Sequence, residues 1–460
     1  MTSFMPRTLS LTNRLQLVTT HTGARRSLAQ PLTRIRSPPK AIIASFKSTS
    51  TKPPRGAPAS EAFEEPRSLP TSGFETIQAD RLIEEEQLPD YRAGRYYPVQ
   101  LGEVFHHRYQ AVAKLGFGSC STTWLARDLR NKQYVALKVY VHTSLVHREL
   151  PFYHHIARHM TGGGARQGQD NIRKLLDSFE IVGPDGKHIV LVMDAAQMSL
   201  YDMKLVFRPD GFEEDFVTAA ITELLKALDS LHTSGETVHT DIHPGNMLLG
   251  LYDNDNIHLE ALEKKEITSP VPRKPVSSTR TIYLSRLKVP EEGPMLLSDF
   301  GEARIGPGPH AGDVMPLEYR APEVLLHVKW SYPIDIWSVG LTAWDLLEPK
   351  RLFTAGADNG DLYAATHLSQ LIAALGPPPA ELLARNLERK ADFWTEEGEW
   401  LGHTPIPSSR SLESLETRLQ DKSKSSFLRF IRRALAWIPE ERPTAKELLQ
   451  DPWLRGTIEA

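Results

Sequence analysis

Three polar residues in the second half of the chain have the types needed to hold a divalent cation and to handle a hydroxyl: Asp241, Asn246 and Asp299. Asp241 opens the run Asp241-Ile242-His243-Pro244-Gly245-Asn246, and Asp299 opens Asp299-Phe300-Gly301. A hard cation such as Mg2+ takes oxygen ligands and keeps several waters, so one carboxylate (Asp299), one amide carbonyl (Asn246) and phosphate oxygens suffice. Asp241 is suited to accept a hydrogen bond from an attacking hydroxyl, as a catalytic base. Far upstream stands Leu115-Gly116-Phe117-Gly118-Ser119-Cys120-Ser121, followed by Thr123. Glycines at 116 and 118 let backbone amides close over a polyphosphate, where a Cβ would obstruct the approach. Lys138, in Val135-Ala136-Leu137-Lys138, is placed to hold phosphate oxygens and needs a carboxylate to fix its head group. Glu149 is the only acidic residue between Lys138 and Asp170. Each signal alone is weak, since a Gly-x-Gly turn is more often a plain hairpin; their order along one chain is what gives them weight.

Regular elements must deliver these groups. Alternating apolar and polar residues from Tyr109 to Val141, broken at Gly116, Gly118 and Asn131-Lys132, predict strand, glycine-rich turn, strand, hairpin and strand. The apolar run His188 to Met193 predicts a further strand leading into Asp194-Ala195-Ala196. Helical spacing of Phe216, Ala220, Leu224, Leu228 and Leu231 predicts a helix that ends at Gly235 and hands the chain to His239-Thr240-Asp241. A helix carrying Glu149 is expected to kink at Pro151, which lacks a donor. Asp335-Ile336-Trp337-Ser338-Val339-Gly340 opens an apolar helix.

In this order, over roughly residues 101 to 456, these motifs resemble the eukaryotic protein kinase superfamily. The resemblance implies an α+β, two-lobed protein kinase fold, with a small β-rich N-lobe and a larger, mainly helical C-lobe. ATP and Mg2+ are the cofactors it implies. Leu115 to Ser121, Thr123, Ala136, Lys138 and the hinge Met193, Asp194, Ala195 and Ala196 would then line the nucleotide site, with Met193 as gatekeeper. Lys138 would pair with Glu149, Asp241 would be the catalytic base, and Asn246 and Asp299 would hold metal. Ala321-Pro322-Glu323 would close the activation segment, and Glu323 with Arg442 resembles the pair that locks the large lobe. Within the superfamily the chain is similar to the SR-protein kinase family, especially its divergent fungal-type members. Tyr97-Pro98-Val99, Leu115 to Gly118, Ser121-Thr122-Thr123-Trp124-Leu125, His239-Thr240-Asp241 and Tyr319-Arg320-Ala321-Pro322-Glu323 carry this likeness, as does a long insert between Asn246 and Asp299. It implies transfer of the γ-phosphate to Ser or Thr of proteins, with Arg/Ser-rich splicing factors as substrates and mRNA processing as the process served.

Three residues depart from the superfamily pattern. Thr240 replaces the Arg that ordinarily holds an activation-loop phosphate, and residues 302 to 320 contain no Ser or Thr. Together these predict no switching by Ser/Thr phosphorylation of that loop. His243 replaces the catalytic-loop Lys, and Pro316 the Thr that contacts it, so less positive charge reaches the transferring group. The string His239-Thr240-Asp241-Ile242-His243-Pro244-Gly245-Asn246 also matches kinase-like small-molecule phosphotransferases. That activity, and a nucleotide-binding pseudokinase scaffold, are the alternatives open at the level of sequence.

The 460 residues are 40% hydrophobic and 24% charged, ordinary globular composition. Residues 1–60 hold ten Lys and Arg and no acid, leaving 44 basic against 57 acidic residues, a net −13, on 61–460. An acidic body attracts basic partners and disfavours direct nucleic-acid binding. The Arg- and Ser/Thr-rich segment 1–60 has the composition of a mitochondrial transit peptide or a disordered basic tail; the family likeness suggests nucleus and cytoplasm instead. Residues 61–96 are expected to be linker and 97–456 the kinase domain, divided into N-lobe 97–195, C-lobe 196–456 and insert 251–294, the insert a surface excursion with a docking role. No apolar run approaches the roughly 20 residues that cross a bilayer. The single cysteine, Cys120, excludes an internal disulfide and any zinc site built on cysteines. The chain is expected to act as a monomer on a basic protein substrate.

Overall fold

The structure, a computed structural model, describes residues 63–143, 149–160, 168–252, 256–286, 290–354 and 363–456; the basic segment 1–60 lies outside them. The chain forms two compact units. The smaller holds the described residues up to Thr143, Asp177–Ala195 and Asp253–Glu292; the larger holds those of Ser144–Leu176, Ala196–Tyr252 and from Gly293 on. The helix Glu149–His159 therefore groups with the larger unit and the insert with the smaller. Neither unit follows the contiguous lobe boundaries expected from sequence.

The smaller unit is built on six strands: β1 (Val104–Phe105), β2 (Tyr109–Phe117), β3 (Ser121–Asp128), β4 (Gln133–Tyr140), β5 (Leu175–Val182) and β6 (Lys187–Asp194). They lie in the order β1-β2-β3-β4-β6-β5. Strand residues alternate between faces, so Val135, Leu137 and Val139 of β4 join Val190 and Val192 of β6 in one core, while Ala136 and Lys138 face the other way. Tyr283 of the insert enters that core, edge-on to Trp124 with ring centroids 5.7 Å apart.

Two expectations are corrected here. The supposed linker is packed: Leu69, Ile77, Ile83 and Tyr96 are buried, Thr76 bridges to Arg273, and Ile77 and Ile83 cluster with Ile282. The insert is no loose excursion either. Its helix Asn256–Thr268 packs on β2 and β4, burying Leu259, Leu262, Glu263 and Glu266 on one face. Buried carboxylates demand partners. Glu263 takes Arg67 at 2.7 Å and the Tyr134 hydroxyl; Glu266 takes Arg273 at 3.1 Å and Arg286 at 2.6 Å. Lys114, fully buried in β2, is held by Glu85 and lies 3.6 Å from Glu84, and Lys274 meets Glu86 at 2.8 Å.

The larger unit centres on two helices. Glu214–Thr233 buries Val217, Ala220, Ile221, Leu224, Leu228 and Leu231, the i, i+3, i+4 stripe its sequence carries. It packs on Pro333–Leu347, nearly all of which is buried. Gly340 permits close approach there, since a Cβ would stand 2.9 Å from that of Ala434. Glu323 and Arg442, both fully enclosed side chains, form the expected pair through two contacts of 2.6 and 2.7 Å. Pro151 lies near the start of the helix Glu149–His159 as described, and the residues just before that helix lie outside the described ones.

Candidate active site

In the smaller unit the glycine-rich turn joins β2 to β3, with Gly116 opposite Thr123 and Phe117 opposite Thr122. Nothing lies within 4 Å of where a Gly116 Cβ would stand, so protein packing does not require glycine there. The open space is what a polyphosphate approaching the backbone needs. Leu115 lies within β2, Gly118 N–H donates to the Ser121 carbonyl at 2.8 Å, and Cys120 is exposed with its sulfur 3.6 Å from the Ser119 hydroxyl. Lys138 sits in β4 between Thr123 of β3 and Leu191 of β6, its Nζ 5.2 Å from the Tyr140 ring centre. Ala136 pairs with Met193, both buried; Asp194 ends β6, and Ala195 follows, also buried.

In the larger unit, two short strands bring the remaining groups together. Met247–Leu249 pairs with Met295–Leu297, Met247 opposite Leu297, and Ser298 N–H donates to the Asn246 carbonyl at 2.9 Å. Asn246 and Asp299 therefore stand at the same end of one ladder. Asn246 Nδ2 donates to the Asp241 carbonyl at 2.8 Å and to Asp241 Oδ2 at 2.9 Å, which turns the amide nitrogen to Asp241 and leaves the amide oxygen available to a cation. His243 Nδ1 accepts the Gly245 N–H at 3.0 Å. The neutral ring then carries its proton on Nε2, 3.6 Å from Asp241 Oδ1.

Asp299 has a left-handed backbone, φ 66° and ψ 75°, a conformation that costs a non-glycine residue about 1–3 kcal/mol. Gly301 makes room for it: a Cβ there would press to 3.3 Å of Asp299 Oδ1. Phe300 is fully buried, stacked on Phe152 at 4.1 Å and near His239 at 4.9 Å. Glu149, also buried, accepts the Phe300 N–H at 3.4 Å. The expected partner of Glu149, Lys138, belongs to the smaller unit, and Ala196 begins the next segment of the larger one.

The loop is held from beneath by a residue whose function the sequence did not declare. Asp335 accepts the His239 N–H at 2.8 Å, the Thr240 N–H at 2.9 Å and His232 Nε2 at 2.8 Å. Thr240, at φ 69°, adds a hydroxyl bond to the Glu302 carbonyl at 2.7 Å. The place of Asp335 at the head of Asp335-Ile336-Trp337-Ser338-Val339-Gly340, an aspartate opening an apolar helix, was the signal in the sequence. Burial pushes the His239 imidazole pKa down, and its Nδ1 accepts the Asp241 N–H at 3.2 Å. The activation segment is tied without Ser or Thr: His310 and Trp330 exchange backbone bonds of 2.8 and 3.0 Å, and the Tyr319 hydroxyl donates to buried Asp345 at 2.5 Å. Pro316 caps the turn Leu317–Tyr319.

The donors are all oxygen, one carboxylate and one amide side by side, and they fit Mg2+ completed by phosphate oxygens.

The protein kinase domain family matches residues 109–269 and 280–454. Among curated proteins, a serine/threonine protein kinase of Aspergillus fumigatus is 40% identical over 394 residues, 85% of this chain and 95% of that protein. The serine/threonine-protein kinase SRPK of Physarum polycephalum is 29% identical, over 81% of this chain and 91% of its own. SRSF protein kinase 3 of Homo sapiens is 24% identical, over 81% and 90%. A solved kinase domain shares the fold, with a TM-score of 0.59 at 21% identity, over 78% of this chain and 99% of that one.

Proposed function

The chain belongs to the protein kinase domain family, and from that premise we propose that it is an ATP-dependent serine/threonine kinase acting on basic, Arg/Ser-rich proteins. The observation that carries this most directly is the Asp241, Asn246 and Asp299 cluster, oxygen donors beside a base, on a loop fixed by Asp335. ATP with Mg2+ supplies the transferable phosphoryl group and the charge that neutralises it. Asp241 receives the hydrogen bond, and then the proton, of the attacking hydroxyl. Asn246 Oδ1 and the Asp299 carboxylate hold the metal. Lys138 would hold the α and β phosphates, the amides of the glycine-rich turn would cover them, and Met193 to Ala195 would receive the adenine. His243 offers one neutral N–H, from Nε2, to the transferring group.

A body of net charge −13 over residues 61–460 suits a substrate dense in arginine, and relatives include kinases named for SR proteins. Residues 1–60 are proposed to address the chain to mitochondria; a fluorescent reporter fused to them should co-localise with that organelle, and diffuse or nuclear signal would reject the address. The function is tested by transfer of labelled phosphate from ATP to an Arg/Ser repeat peptide, followed by phosphoamino-acid analysis. Phosphoserine is expected. A protein that binds ATP yet labels no peptide would overturn the proposal.

A further inference from the structure

Tyr96 lies in the segment before the sheet, is 3% exposed, and packs its ring at a tilt against that of Tyr91, centroids 5.3 Å apart. Its hydroxyl reaches the glycine-rich turn, where it donates to the Gly118 carbonyl at 3.0 Å and the Ser119 carbonyl at 3.2 Å. Burial pushes the phenol pKa well up, so the hydroxyl stays a donor at any physiological pH. In a planar trans peptide the carbonyl and the following N–H point in opposite directions. Turning the Gly118 and Ser119 carbonyls onto Tyr96 therefore turns the Ser119 and Cys120 N–H groups the other way. Among the described residues neither of these two N–H groups donates to a protein acceptor. Adjacent, unspent, parallel amides are an anion cradle.

Tyr96 is itself fixed. Arg280 of the insert donates to its carbonyl at 2.7 Å, and His142 N–H donates to the Arg95 carbonyl at 3.1 Å, while Val141 N–H takes the Cys120 carbonyl at 2.9 Å. The turn is thus gripped from the pre-sheet segment on one side and the end of β4 on the other. Resting on the assignment of this turn to ATP, we propose that Tyr96 is a positioning residue for the nucleotide: its hydroxyl sets the two peptide planes whose N–H groups receive the phosphates. Nothing in the Gly-x-Gly motif itself points to this residue, which stands twenty positions ahead of Gly116.

The test is Tyr96→Phe in the full chain, which removes one oxygen and keeps the ring. Binding of a fluorescent ATP analogue should weaken by about three- to ten-fold, the range expected for one hydrogen bond. KM for ATP should rise by the same factor while KM for the peptide does not, and with the nucleotide analogue bound amide exchange should quicken at Ser119 and Cys120 but not in β4 and β6. Unchanged affinity and exchange in the variant would overturn the role of Tyr96 and leave the ATP site standing. Weaker binding accompanied by faster exchange throughout the sheet would make Tyr96 a packing residue and also overturn it. Failure of the unaltered protein to bind the analogue would reject the ATP assignment, and the proposal with it.

Discussion

Asp335 shows how much of the loop carrying Asp241 depends on one carboxylate buried beneath it. A single buried carboxylate accepts two consecutive backbone N–H groups and a histidine, and so fixes the φ 69° turn at Thr240 that aims Asp241. Asp335→Ala leaves those donors buried and unpaired, at about 1–3 kcal/mol each. Steady-state kinetics should show kcat falling about 10²-fold, because small displacements of a reacting group cost that much; an unchanged kcat would mean that the loop holds itself. A second residue-scale prediction concerns His367, fully buried beneath the activation segment with Nε2 donating to the Arg320 carbonyl at 3.2 Å. Burial lowers its pKa from the ordinary 6.5 to about 4. The unfolded chain therefore takes up this proton first, and stability falls as pH drops from 6.5 towards 4, by on the order of 3 kcal/mol in all. His367→Gln should flatten the dependence of melting temperature on pH across that window, and an equally steep dependence would assign it elsewhere. Residue types and order singled out Asp241, Asn246 and Asp299 as candidates in the sequence, because metal and hydroxyl chemistry admits few substitutes. Asp335 and Tyr96 were illegible as site residues because they act on backbone atoms, and a backbone hydrogen bond leaves no mark on the residue that makes it.

Among the elements, those with a simple period were legible: the β2–β3–β4 hairpins by alternation and the helix Glu214–Thr233 by its apolar stripe. The insert helix was not. Its buried face runs Leu259, Leu262, Glu263, Glu266, helical spacing in which two of the four positions are glutamate, so hydrophobic pattern alone gives a charged surface segment. Its partners Arg67, Arg273 and Arg286 lie in stretches that look like linker and loop. The same blindness turned residues 63–96 into a linker, since three isoleucine contacts and a row of ion pairs have no period. Glu266→Ala would strand Arg273 and Arg286 in a buried site, and breaking such a pair costs about 3–5 kcal/mol. Chemical denaturation should find a loss of that order, where a detachable insert would tolerate the change with almost none.

At the scale of the whole molecule, the segment before Ala321-Pro322-Glu323 is held by fixed bonds: His310 to Trp330, Tyr319 to Asp345, and Arg351 to Glu318 at 2.9 Å. With no Ser or Thr from 302 to 320 to receive a phosphate, protein made in bacteria and treated with phosphatase should keep its activity; loss on treatment would place a required phosphate elsewhere in the chain. The charge division between a basic residue 1–60 segment and an acidic remainder further predicts that binding of an arginine-rich substrate weakens with added salt, as long-range steering does. The central claim, that Asp241 is the base of an active protein kinase, is met most directly by one assay: transfer of radiolabelled phosphate from ATP, with Mg2+, to an Arg/Ser repeat peptide by the full chain and by Asp241→Ala. Transfer that is robust in the first and falls at least about 10²-fold in the second, with ATP still bound by both, is the result expected. Equal transfer by the two proteins, or none by either despite bound ATP, would contradict it.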